Sequence, residues 1–189
     1  MSVKSSISAS IVLYNNDFKI IQKAINSYLK IEQNTILYII DNSPKNEFEK
    51  LISDHRIKYA NYPLNIGFGA AHNVAIQKSI EENTTYHLIL NPDVYFDPGI
   101  IQKIINFMDK NEDVGLIMPQ IKYPNGQIQH LCKLLPSPLD LIGRRFIPIK
   151  KYIKKRNQKY ELHFTEYNKI IDVPYLSGCF MFIRTSVLK

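Results

Sequence analysis

The sequence predicts an α/β protein with a mostly parallel central sheet flanked by helices, and three observations lead to that class. Short apolar runs alternate with amphipathic stretches, the pattern of βαβ units. Several of those runs end abruptly in polar turn residues, as Leu88 to Val94 does in Leu-Ile-Leu-Asn-Pro-Asp-Val. At 189 residues and 45% hydrophobic content, the chain is large and apolar enough for one well-cored domain.

Ser6 to Tyr14 opens as a buried strand. Asp17 is placed to cap the next helix, where Phe18, Ile20, Ile21, Ala24, Ile25, Tyr28 and Leu29 recur at spacings of three and four. Thr35 to Asp41 is a second buried strand. It is followed by the turn Asn42-Ser43-Pro44 and a short amphipathic helix through Phe48, Leu51 and Ile52. A third strand spans about Ile57 to Asn61. The loop Pro63 to Gly69 leads into a helix through Ala75 and Ile80, then the strand Tyr86 to Asn91 and a helix from Pro98 to Lys110, with proline in the first turn. Val114 to Pro119 reads as a strand. Tyr123 to Gln127 reads as a small β-hairpin whose Asn-Gly pair favours primed turns. The alternation then breaks. Cys132 to Glu166 is a basic, irregular, Pro-containing segment, after which Ile170 to Val173 and Cys179 to Arg184 look like strands.

Composition excludes several function classes. No apolar run is long enough for a membrane span, and the N-terminus lacks the features of a signal peptide, so a cytoplasmic protein is expected. Two cysteines, Cys132 and Cys179, are too few for a disulfide framework or a zinc site and read as small buried hydrophobes. The net charge of +7 is uneven: residues 1–119 hold 11 basic and 13 acidic side chains, residues 120–170 hold 11 and 3. In residues 144–159 the basic side chains interleave with Phe146, Ile147, Ile149, Tyr152 and Ile153, which suits either a solvated element or an anionic lipid surface. Nucleic acid is not the expected partner.

Four points place polar groups on one rim of the sheet. Leu13-Tyr14-Asn15 ends the first strand in residues able to hydrogen-bond a planar ring. Asp41 closes Ile-Ile-Asp, and a buried carboxylate there needs a donor, either an imide N–H of a pyrimidine base or a backbone amide of the following turn. Asn65-Ile-Gly67-Phe68-Gly69-Ala-Ala-His-Asn73 combines glycines that permit close backbone approach with a helix start that offers N–H groups to an anion. Asn91-Pro-Asp93 follows the fourth strand, where Asp93 is either a turn residue or the carboxylate that holds Mg²⁺ or Mn²⁺ against a diphosphate.

These motifs, in this order, resemble the family 2 inverting glycosyltransferases of the GT-A fold, most of all the rhamnosyltransferase-like branch, over essentially Ile7 to Leu188. The resemblance implies one GT-A domain over 1–189, with a nucleotide-sugar-binding half at 1–119 and the start of an acceptor half at 120–189. It implies that Asp41 binds the nucleobase with Leu13, Tyr14 and Asn15 lining its pocket. Asn65, Gly67, Phe68 and Asn73 would face the ribose and diphosphate, with Asn91 and Asp93 beyond them and Asp93 as metal ligand. Gly178, in Leu-Ser-Gly-Cys-Phe, looks like the segment beside the donor sugar. Ala71, His72 and Ala75 depart from the residues common in relatives. The Glu-Asp-x-Asp motif that supplies the general base in relatives does not occur, which suggests a C-terminally truncated copy with the base beyond Lys189. Asp172 is the nearest acid in sequence and reads as a water-facing strand-edge residue.

The resemblance implies transfer from a nucleoside diphosphate sugar, with thymidine-linked rhamnose as first expectation, to a cell-envelope saccharide or lipid-linked acceptor. A sugar nucleotidyltransferase is disfavoured because no Gly-x-Gly-Thr-Arg stretch follows the first strand. The other surviving reading is a non-catalytic, polyanion- or membrane-docking module with a vestigial donor site.

Overall fold

The computed structural model describes residues 5–32, 34–49, 53–135 and 150–189. They form two compact units. The first comprises residues up to Ile117 together with Gly178–Lys189, and the second Met118–Ser177.

The first unit is built on a six-stranded sheet. In chain order its elements are β1 (Ile7–Leu13), α1 (Phe18–Leu29), β2 (Thr35–Asp41), β3 (Ile57–Asn61), α2 (Phe68–Glu81), β4 (Tyr86–Leu90), α3 (Gly99–Lys110) and β5 (Leu116–Ile117). Strands β1 to β4 are mutually parallel, in the spatial order β3-β2-β1-β4. Every residue of β1 is buried, as a central parallel strand covered on both faces must be. Asp17 caps α1 as expected, its carboxylate accepting from the Lys19 N–H at 2.8 Å. The helix buries Ile21, Ala24, Ile25 and Tyr28. The Tyr28 hydroxyl donates to the carbonyls of Ile7 and Ile36, both at 3.0 Å, and so ties α1 to β1 and β2. Helix α2 packs Ala71 and Ala75, both fully buried, against Val12, Tyr38 and Ile40 of the sheet.

Four details differ from the sequence reading. The helix expected from Pro98 begins at Gly99, with Pro98 preceding it and the Asp97 carboxylate accepting from the Gly99 N–H at 2.7 Å. The strand expected over Val114 to Pro119 shortens to two residues, because a turn bond from the Val114 N–H to the Asn111 carbonyl precedes it and Pro119 has no N–H to pair. Residues 170–173 are not a strand: Ile170 is 79% exposed and no strand among the described residues pairs with them. The hairpin is present, with an antiparallel bridge between Lys122 and Ile128, but its turn is not primed. Pro124 fixes φ in the negative range at the first central position, so within this turn only Gly126 takes positive φ (+84°), which glycine adopts without steric cost. Residues 50–52, part of the short helix expected after β2, lie outside the described residues.

The second unit contains the pair β6 (Cys132–Lys133) and β7 (Tyr175–Leu176) and helix α4 (Lys150–Tyr160). Tyr167 knits it together: its hydroxyl donates to the carbonyls of Cys132 and Glu161 and accepts from the Cys132 N–H. Of the basic stretch 144–159, residues 144–149 lie outside the described residues and the remainder is helical. The last strand, β8 (Phe180–Arg184), belongs to the first unit and runs antiparallel between β4 and β5. No helix among the described residues is long and apolar enough to cross a membrane.

Candidate functional site

Parallel strands that share one direction bring their carboxyl ends to one rim. Chain order and spatial order part company between β1 and β4, since β1 is followed by β2 on one side while β4 lies on the other. Such a switch point is where open α/β sheets form crevices.

At this rim Leu13, Asp41 and Asn61 are register partners on three neighbouring strands. Leu13 is buried, Tyr14 is half exposed, and Asn15 takes a positive φ of 51° while its N–H donates to the Ser43 hydroxyl at 2.8 Å. Asp41 is fully buried. One carboxylate oxygen accepts from the Ser43 N–H at 2.8 Å and the other from the Tyr59 hydroxyl at 2.7 Å. Of the two donors open to it from the sequence, the turn amide is therefore present, and a phenol has joined it.

The loop after β3 is shaped by Asn65 and Gly67. Asn65 has φ of 48° and its side-chain oxygen accepts from the Gly67 N–H at 3.1 Å. Gly67 (φ +87°) precedes α2, and no side chain caps that helix. The N–H groups of its first turn are therefore left for a ligand or water. Across from this loop the Asn42 amide donates to the Gly67 carbonyl at 3.4 Å. The half-exposed Phe68 ring packs over Gly178, where an added Cβ would sit 3.7 Å from Phe68 Cε1. The next residue, Cys179, accepts at its carbonyl from the Asn91 N–H at 2.9 Å. Asn91 opens a β-turn closed by the Val94 N–H on the Asn91 carbonyl at 3.2 Å, with Asp93 exposed at its third position.

Contacts thus run in a circuit from β1 to β2, to the α2 start, to Gly178 and on to the end of β4. They bring Leu13, Asn15, Asp41, Asn65, Gly67, Phe68, Asn91 and Gly178 together, with Tyr14 and Asp93 adjacent in sequence. Asn73 does not join the circuit; it is exposed on the second turn of α2.

Sequence reasoning missed several residues that hold this rim. Ser43 and Tyr59 fix Asp41 and Asn15. Beneath the rim lies a buried polar chain: Ser10 Oγ lies 2.7 Å from His72 Nδ1 and 2.9 Å from His87 Nε2, and His87 Nδ1 lies 2.8 Å from Ser8 Oγ. Ser8 continues to Ser79 at 2.6 Å, and Ser79 to Thr84 at 2.6 Å. Burial holds both imidazoles neutral, lowering His72 to about 4 and His87 to about 3. A signal was present in the sequence: two serines at period two in a buried strand demand polar partners on the same face.

No group of three or more His, Cys, Asp or Glu side chains that could hold a metal occurs among the described residues. Asp93 still fits a hard cation, because its exposed carboxylate makes no hydrogen bond or ion pair with the described residues. A lone carboxylate suffices when ligand phosphates complete the coordination.

The family model described as Glycosyl transferase family 2 matches residues 8–189. The chain belongs to glycosyl transferase family 2. Solved structures share the fold of this family 2 chain. S. aureus TarS 1–349 superposes with a TM-score of 0.60 at 18% identity, over 97% of this chain and 48% of that one. TarS 1–349 in complex with UDP-GlcNAc gives 0.55 at 20% identity, over 71% and 42%. The mannosyltransferase PcManGT from Pyrobaculum calidifontis, in complex with GDP-Man and Mn²⁺, gives 0.53 at 11% identity, over 66% and 37%. This family 2 chain therefore spans less than half the length of each. Its mixed sheet and flanking helices are those of the GT-A fold. No curated protein sequence matches it significantly.

Proposed function

We propose that the first unit binds a nucleoside diphosphate sugar and serves a metal-dependent inverting glycosyltransferase. The observation that carries this reading is the circuit of contacts around the carboxyl ends of β1, β2 and β4. It gathers a fixed buried carboxylate at Asp41, an uncapped helix start at Gly67 and an unengaged carboxylate at Asp93. Asp41 would accept from a nucleobase imide N–H, since Ser43 and Tyr59 hold its oxygens in place without filling all their lone pairs. The half-exposed rings of Tyr14 and Phe68 offer faces for the base and sugar. The first turn of α2 would take phosphate oxygens. Asp93 would hold Mg²⁺ or Mn²⁺, which supplies charge neutralisation to a departing diphosphate. We take thymidine-linked rhamnose as the first donor to test and a cell-envelope saccharide or lipid-linked molecule as acceptor. The general base is assigned to residues outside this rim; Asp172 is exposed and lies in the other unit. A cytoplasmic site, with residues 144–159 against an anionic inner membrane face, completes the proposal.

The test is calorimetric titration with thymidine and uridine diphosphate, with and without Mn²⁺. Asp93→Ala is expected to abolish the metal-dependent part of binding, and Asp41→Asn to weaken nucleoside binding under both conditions. If no nucleoside diphosphate binds the parent chain, the donor reading fails and the non-catalytic docking module takes its place. If both variants bind like the parent, the site is wrongly placed.

A further inference from the structure

Two buried polar atoms flank the start of α2, and neither has a partner among the described residues: Nε2 of His72 and Oδ1 of Asn42. Each side chain belongs to a residue only 2% exposed. Buried polar atoms without partners are uncommon in folded proteins and cost stability, so each such atom calls for an explanation. The two orphans differ in chemistry. The Asn42 amide nitrogen faces the Gly67 carbonyl, which leaves the oxygen as a pure acceptor. His72 leans along α2 toward Phe68, whose ring meets the imidazole edge-on at 4.4 Å between centroids.

The buried chain has two proton arrangements. In one, Ser8 donates to the Tyr86 carbonyl and His72 Nε2 is left an acceptor, and in the other His72 Nε2 carries the proton, the form an anion selects. When Ser8 donates to His87 Nδ1, His87 donates through Nε2 to Ser10, and Ser10 donates to His72 Nδ1. Neutral His72 then carries its proton on Nε2 and is a donor at its open end. The N–H groups of Phe68, Gly69 and Ala70 lie within the same first turn and have no intrahelical partner, because the first helical bond is Ala71 N–H to the Gly67 carbonyl at 3.1 Å.

We infer that His72 and Asn42 form a subsite at the start of α2 for a phosphate ester that carries a hydroxyl. His72 Nε2–H donates to a phosphate oxygen and Asn42 Oδ1 accepts from the hydroxyl. The Phe68 ring covers His72 in the free protein and turns aside on binding. This rests on the donor-site reading only for the identity of the ligand, since a phosphorylated sugar fragment would satisfy the same groups. The neutral imidazole adds a directed donor without adding net charge.

Histidine-labelled ¹⁵N long-range correlation spectra of the whole chain test it, with inorganic pyrophosphate and uridine diphosphate as probes. Five histidines are present, and the His72 signals are assigned by their loss in His72→Asn, whose amide retains a partner for Ser10. The His72 Nε2 resonance should move with both probes. His72→Asn should weaken pyrophosphate about tenfold or more, the effect of losing a hydrogen bond to a charged group. Asn42→Ala should weaken uridine diphosphate and leave pyrophosphate unchanged. Uridine diphosphate that binds without moving His72 Nε2 overturns this inference and leaves the donor reading standing. Pyrophosphate that moves the resonance while the nucleotide does not bind supports the subsite and defeats the nucleoside reading. If neither probe binds, both readings are overturned. Should His72→Asn fail to fold, His72→Gln supplies the assignment, and a His72 Nε2 resonance that stays put while a probe binds still overturns the subsite.

Discussion

Both oxygens of the Asp41 carboxylate are engaged before any ligand arrives, and Tyr59 supplies one of the two bonds. Tyr59→Phe removes that donor and leaves a buried carboxylate short of a partner. It should lower unfolding free energy by about 1–3 kcal/mol, read from urea denaturation at constant m-value. The buried imidazoles make a pH prediction. An unfolded histidine titrates near 6.5, whereas burial holds folded His72 down to about 4 and His87 down to about 3. Below about 6.5 the unfolded chain takes up protons that the folded chain refuses, so stability falls as pH drops and levels off once the folded pKa values are passed. His72 alone should account for about 2–4 kcal/mol between pH 7 and pH 4. Chemical denaturation at several pH values checks it, and His72→Asn should flatten the slope.

At the level of elements, α2 depends on how it begins. Gly67 sits at φ +87° with open space around its Cα, so a substitution there meets backbone strain and no steric block. Gly67→Ala should lose about 1–3 kcal/mol of stability and, by shifting the first turn of the helix, most of its diphosphate affinity; thermal unfolding and titration calorimetry separate the two effects. Most of these elements were legible in the sequence. Strands β1, β2 and β4 are short, buried and mostly apolar runs, and α1 carries both its cap at Asp17 and its apolar stripe, so local chemistry suffices to place them. The partners of Asp41 and His72 were not legible. Tyr59 is 18 residues from Asp41 and Ser10 is 62 from His72, and nothing local says which buried polar groups will meet. The same holds for β8, whose apolar run marks a strand but not its neighbours. The hairpin turn was misread because Asn-Gly was weighed without Pro124 beside it.

For the whole molecule, the excess of positive charge in residues 120–170 should govern contact with surfaces. The chain is expected to float with vesicles containing phosphatidylglycerol, to stay free of phosphatidylcholine vesicles, and to be released by 0.5 M salt, where screening lengths shrink to a few ångströms. Charge reversal at Lys155 and Lys159 should weaken flotation without altering nucleotide titrations; unchanged flotation would remove the basic segment from any membrane role. The strand order carries another consequence. Because β8 is wedged antiparallel between β4 and β5, the inner flank of β4 stays bare while some ninety further residues leave the ribosome. A nascent polypeptide paused before Phe180 would present an open, sticky margin of the kind that recruits chaperones or pairs with a sister chain.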